Sequence, residues 1–249
     1  MISKLFNTAF NAASYFLCKM YKMKNKRCIH LAYDMAYDMV DKNHCKTNYP
    51  HRPIDYCRIR ALELISSEIY RKNISGCVAE AGVRHGDFAK YMNQNFHDRK
   101  LYLYDTYEGF NKQEKLFEIE NQYANERFFN IIDDCKGENA DANMQIVRSK
   151  MKLAENCIFK KGLFPESAHD ELGERFAFVS IDMDLYVPTL AALRFFIPRL
   201  SNGGYIFLHD YNHNEFRGVK SALEDYEKEN SCFSSFPLTD HGGTLVISK

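Results

Sequence analysis

Two apolar runs in this chain stop on residues suited to holding a cation. "FVSIDMDLY" (178–186) sets Asp182 and Asp184 on either side of Met183, and "FLHDYNH" (207–213) closes on His209 and Asp210. Adjacent parallel strands lie about 4.8 Å apart, so two such strand ends would share a small volume. Carboxylates crowded this way repel unless a proton or a cation joins them. An oxygen-rich set with one imidazole suits Mg²⁺ or Mn²⁺. A blander reading makes Asp184 or Asp210 a cap for the helix that follows, and it fits Asp184 better than Asp182 or Asp210.

A second pair of signals lies earlier. "VAEAGVRHGDFA" places Glu80 and Ala81 before Gly82, then Gly86 and Asp87 at a helix start. Small residues in such a turn let the backbone approach a ligand closely. The spacing is not GxGxxG, and alone it describes an ordinary strand-to-helix turn equally well. "LYLYDTYEGF" ends the next apolar run on Asp105 and Thr106. A carboxylate roughly twenty residues beyond a glycine turn is placed to accept both hydroxyls of a ribose. Taken together, the two signals point to NAD or S-adenosylmethionine.

The elements that must carry these residues alternate. The pattern predicts a helix over 55–73, with Ile59, Leu62, Leu64, Ile65 and Ile69 near helical spacing and Arg58 and Arg60 on other faces. Strands follow at 76–82, 100–105, 157–167 (with its turn), 176–182 and 203–210, with helices at 88–96 and 188–200 between them. Pro188 is tolerated in a first helical turn. The tail "SSFPLTDHGGTLVISK" reads as two strands around a turn. The expected fold is α/β, a doubly wound, mostly parallel seven-stranded sheet with an antiparallel C-terminal edge. Residues 1–54 form an N-terminal helical segment and 55–249 the main domain. The polar stretch 111–152 reads as a helical insertion over one end of the sheet, placed as a lid, and substrate recognition is expected from it and from the N-terminal segment.

Composition narrows the partners. The 249 residues are 45% hydrophobic and 27% charged, ordinary for a globular chain. Lys+Arg and Asp+Glu balance at 33 each, which lacks the basic footprint of a nucleic-acid binder. A small-molecule or glycan substrate is expected instead. Eight cysteines without a CxxC pair signal neither a zinc ribbon nor a disulfide framework, and such usage suits a cytoplasmic location. The N-terminus is interrupted by Lys4, Asn7, Asn11 and Lys19, so it offers no run of about 20 apolar residues for a transmembrane helix. An amphipathic helix that packs in a homo-oligomer is expected there, with contact to a membrane surface as the second reading.

In order and spacing, "VAEAGVRHGDFAKYM", "LYLYDTYEGF", "KGLFPES", "FVSIDMDLYVPTLAAL" and "GGYIFLHDY" resemble the blocks of class I S-adenosylmethionine-dependent methyltransferases. The closest resemblance is to the macrocin O-methyltransferase (TylF) family, over roughly residues 55–225. It implies a Rossmann-like sheet and transfer of a methyl group to a sugar hydroxyl. It also implies that Glu80, Ala81, Gly82, Gly86 and Asp87 hold the methionine part of S-adenosylmethionine, that Asp105 and Thr106 hold the ribose, and that Gly162 and Asp182 border the cofactor. Mg²⁺ (or Mn²⁺) would sit on Asp182, His209 and Asp210. His209 departs from the family, which more often has Asp there; Arg84 and His85 also sit where relatives often differ. Asp182 and His213 are the expected catalytic residues; for the base, His213 is the first choice, with Asp184 or a histidine or lysine elsewhere as alternatives, and a lone surface histidine is the plainer reading of His213. Competing readings are a metal-dependent glycosyltransferase using 182–184 as a DxD motif, a phenol or catechol O-methyltransferase, and a cofactor-binding protein without catalysis.

Overall fold

The computed structural model describes residues 56–132, 139–171, 173–230, 233–240 and 242–249. The expectations for 1–54 lie outside the described residues. The described chain runs α1 (Tyr56–Arg71), β1 (Cys77–Ala81), α2 (Ala89–Asn95), β2 (Leu101–Asp105), α3 (Lys112–Glu120), α4 (Glu126–Ile132), α5 (Ala140–Lys150), β3 (Cys157–Lys161), β4 (Phe176–Ile181), α6 (Tyr186–Arg199), β5 (Leu200–Leu208), α7 (Arg217–Glu229), β6 (Ser234–Pro237) and β7 (Leu245–Ser248).

One seven-stranded sheet has the order β3-β2-β1-β4-β5-β7-β6. It is parallel from β3 through β5, and β7 runs antiparallel to both β5 and β6. Strand order reverses between β1 and β4, which opens a crevice at their carboxyl ends. All six residues of β4 are buried, five of them apolar with Ser180 the exception, as expected of a strand covered on both faces. On one side Tyr104, Phe164, Phe176, Phe195 and Phe196 pack mostly edge to face, with Phe176 and Phe196 centroids 5.1 Å apart at 83°. Among the described residues no helix is long and apolar enough to cross a membrane.

Helix α1 departs from the expected face. Ile59, Leu62 and Ile69 are fully buried, but Leu64 is 55% exposed and Arg58 is buried. Two residues turn a helix by about 200°, so Leu64 cannot share the Leu62 face, whereas Arg58, one turn before Leu62, does. Helix α7 was not anticipated, although Val219, Ala222, Leu223 and Tyr226 bury at helical spacing. Pro188 falls in the first turn of α6, where its missing N–H has no intrahelical partner to lose.

Residues 111–152 fold as α3, α4 and α5. Asn111 and Asn139 cap α3 and α5, each accepting two backbone amides. Helix α5 lies on the turn after β1: Val147 meets the face of Gly86, and Lys150 Nζ donates to the His85 carbonyl at 2.7 Å. Buried Asn143 donates to the Tyr107 carbonyl at 2.9 Å, joining α5 to the turn after β2.

Gly82 is where β1 and β4 meet most tightly. Its φ is +87°, and a Cβ would overlap the Asp182 carbonyl oxygen. Gly82→Ala is therefore expected to cost at least about 2 kcal/mol, combining left-handed strain with a backbone collision. A urea midpoint unchanged from wild type would contradict this packing.

Candidate active site

Backbone bonds continue the ladders one residue past each strand. Gly82 N donates to Tyr104 O at 2.9 Å, Gly162 N to Asp105 O at 3.0 Å, Asp182 N to Ala81 O at 2.8 Å and His209 N to Ile181 O at 2.9 Å. The strand ends thereby stand level, and the residues picked out by the sequence line one rim of the crevice.

On the β1–β2 side, Asp105 Oδ2 accepts Val83 N and Arg84 N, both at 2.7 Å, and Oδ1 accepts Tyr107 N at 2.7 Å. A carboxylate offers about four acceptor positions, so three short bonds leave room for one more donor. Spacing assigned both ribose hydroxyls to this acid; the structure makes it first the strut of the glycine turn. Thr106 Oγ1 donates to Gly109 O at 2.8 Å and shapes the turn after β2. The Ala81 carbonyl is spent on Asp182 N. Exposed Asp87 pairs with Lys150 at 3.1 Å and Lys90 at 3.3 Å, tying α5 to the turn. Gly162, at φ +135°, continues the β2–β3 ladder.

Glu80 is 2% exposed, and its Oε2 has no hydrogen-bond partner among the described residues. Burial raises its carboxyl well above the usual range; Arg58 opposes this, while Asp182 and Asp105 add to it. An acceptor left over at this depth suits a ligand that brings a cation or an N–H donor.

On the β4–β5 side, ligand atoms of Asp182, His209 and Asp210 lie within 4.8 Å of one another. His209 Nδ1 is 2.9 Å from Asp182 Oδ1 and 2.9 Å from Asp210 Oδ2, yet buried Nδ1 makes no aligned hydrogen bond to either. One ring N–H cannot point at two oxygens, whereas a divalent cation accepts all three ligands at once. The donor set therefore fits the expected metal. Burial and Arg58 lower the His209 pKa, but the two carboxylates win and lift it to about 10. Burial would raise Asp182; His209 and Arg58 overcome it and hold that carboxyl well below the usual range.

Asp184 does not cap α6. The N-cap residue is Leu185, without a side-chain cap bond, and the Tyr186 amide is taken by Glu118. Nor does Asp210 cap α7, whose N-cap is Phe216. Asp184 (φ +62°) and Asp210 (φ +58°) both occupy left-handed backbone that few residues but Gly, Asn and Asp accept. Burial, then Asp210 and Asp182, raise the Asp184 carboxyl well above its ordinary value. His213 lies beyond this group, where Nδ1 accepts Glu215 N at 3.3 Å and the ring packs on Phe216.

Sequence reasoning missed Arg58. From α1 it donates to Asp182 Oδ2 at 3.0 Å and Ser180 Oγ at 2.8 Å, over the Phe88 ring at 3.9 Å. The i, i+4 relation to Leu62 was the available signal. Arg58→Met leaves half-buried Asp182 with one cation fewer and is expected to lower stability by about 3 kcal/mol. Chemical denaturation checks this, and a loss below about 1 kcal/mol would reduce the pair to a surface-like contact.

The model of the family described as Macrocin-O-methyltransferase (TylF) matches residues 9–245. Mycinamicin III 3''-O-methyltransferase of Micromonospora griseorubida is 27% identical over 204 residues, which is 79% of this chain and 79% of that protein. Among solved structures, the O-methyltransferase NovP aligns with a TM-score of 0.60 at 20% identity, over 77% of this chain and 79% of its own. The calicheamicin methyltransferase CalS11 aligns with a TM-score of 0.55 at 16% identity, over 76% of this chain and 79% of its own. The two structures speak for the fold, while the match across nearly the whole chain decides membership: the chain belongs to the macrocin-O-methyltransferase (TylF) family and is an O-methyltransferase.

Proposed function

We propose that the enzyme transfers the methyl group of S-adenosylmethionine to a sugar hydroxyl at a divalent metal centre. The observation that carries this reading is the convergence of Asp182, His209 and Asp210 at the strand-order reversal, beside the glycine turn and Glu80. The name of the mycinamicin relative, a 3''-O-methyltransferase, supports a glycosidic acceptor. Glu80, with an acceptor to spare, faces the chemistry of an amino-acid ammonium group, and Asp105 has one position for a ribose hydroxyl. A DxD reading of 182–184 in a glycosyltransferase falls with the family match.

An Mg²⁺ or Mn²⁺ ion, when bound, would supply a Lewis acid that orients two neighbouring substrate oxygens and acidifies one hydroxyl. The protein's own part is to position the acceptor and take its proton. S-adenosylmethionine, held by the glycine turn, Glu80 and Asp105, would supply the methyl group and depart as S-adenosylhomocysteine, a neutral thioether, while the acceptor's hydroxyl proton would pass to a base of this chain. Asp184 suits that role better than His213, because it stands two residues from Asp182 in the loop between β4 and α6, whereas His213 lies beyond the cluster with its Nδ1 accepting Glu215 N. Asp182, held ionised, serves as a ligand instead.

Calorimetric titration with S-adenosylhomocysteine and Mn²⁺ tests the cofactor assignment. Wild type is expected to bind both, Asp105→Ala to lose S-adenosylhomocysteine, and Asp182→Ala to lose Mn²⁺ while keeping S-adenosylhomocysteine. Failure of folded wild type to bind S-adenosylhomocysteine would sink the reading. With a methylatable glycoside or nucleotide sugar, Asp184→Asn should reduce kcat by about a hundredfold or more, with His213→Gln close to wild type. The reverse ranking would return the base to His213, and turnover confined to catechols would overturn the sugar assignment.

A further inference from the structure

Glu118 of α3 is 1% exposed, although nothing in its sequence neighbourhood marks it for burial. A carboxylate so deep is costly unless something answers its charge, and burial does lift its pKa to about 7 against the Tyr186 amide. One helix start bonds to it and a second packs against it. Oε1 accepts Tyr186 N, the first residue of α6, at 2.5 Å. Gly218, in the first turn of α7, comes so close that a Cβ there would lie 2.6 Å from Oε2, 2.7 Å from Oε1 and 2.9 Å from Tyr186 N. Neither helix has a side-chain cap of its own, and a carboxylate is favourable at each positive helix end.

These two helix starts close the two loops of the catalytic centre. The loop from β4 to α6 carries Asp182 and Asp184; the loop from β5 to α7 carries His209 and Asp210. Both run into the same carboxylate. Aromatic packing holds the junction: the Phe117 and Tyr123 rings stack on Tyr186 at 5.1 and 5.7 Å, and Tyr186 Oη donates to Asp225 of α7 at 2.7 Å. The Glu118 carbonyl in turn accepts Tyr123 N and Ala124 N, which ends α3 at this point.

We propose that Glu118 is a positioning residue of the catalytic centre, clamping the ends of both ligand-bearing loops and linking the 111–152 insertion to them. The inference rests on the metal reading above for its first readout only. Glu118→Ala removes the clamp, Gly218→Ala pushes the carboxylate away from the Tyr186 amide, and Glu118→Gln keeps an acceptor on that amide. Mn²⁺ and S-adenosylhomocysteine affinities are measured by calorimetry, and amide hydrogen exchange is followed over 182–186 and 209–218.

The expected result is a loss of about tenfold or more in Mn²⁺ affinity for Glu118→Ala and Gly218→Ala, with S-adenosylhomocysteine affinity retained. Exchange should rise in both segments, and Glu118→Gln should recover most of each effect. Unchanged Mn²⁺ affinity and exchange overturn the proposal, as does a parallel fall of both affinities with thermal midpoint, which marks a general packing role. If Glu118→Ala does not fold, Gly218→Ala decides by the same criteria. If wild type binds S-adenosylhomocysteine but no Mn²⁺, the metal reading fails and exchange decides alone: acceleration in both segments upholds the clamp, and acceleration confined to one overturns it.

Discussion

The backbones of β1 and β4 touch at Gly82 and Asp182, with no room for a side chain between them. That contact keeps the ends of two strands level on either side of the point where strand order reverses. From it follows the placement of the glycine turn, braced by Asp105, on one side and of the acid cluster on the other. A sheet that opened here by the width of a methyl group would separate the two halves of the site. The turn after β1 is consequently rigid for structural reasons before any ligand enters: its amides are already satisfied by a carboxylate from the next strand.

Charge in the crevice is distributed unevenly among residues of the same type. Asp182 sits between Arg58 and His209 and stays ionised, whereas Asp184 faces other carboxylates and holds its proton more tightly. Environments that push two neighbouring acids in opposite directions separate their duties. Arg58 is central to this division, since it reaches Asp182 directly and also acts on Glu80. Its cation comes from a helix outside the strand-end loops, so the site depends on how α1 packs as well as on the sheet.

The insertion at 111–152 touches both halves of the site through different helices. Helix α5 rests on the glycine turn through Val147, Lys150 and Asn143. Helix α3 reaches the starts of α6 and α7 through Glu118. A segment anchored at both ends of a crevice can shape what enters it without contributing to the sheet.

Much of this was legible in the linear chain because a strand's pattern and its polar terminus are local properties. The seven strands, the glycine turn, Asp105, and the set Asp182, His209 and Asp210 all announce themselves as apolar runs that end in polar residues. Helix α7 is equally legible in the spacing of Val219, Ala222, Leu223 and Tyr226. What the chain could not reveal by itself are relations between distant segments. Arg58 looks like one more charge on an amphipathic helix, Glu118 like one more acid in a polar insertion, and Asp184 like a helix cap. Only the packing of distant segments decides that the first pairs with Asp182, that the second accepts the Tyr186 amide, and that the third faces other carboxylates. The physical reason is that burial and hydrogen-bond partnership depend on which surfaces meet, whereas periodicity depends on the chain alone.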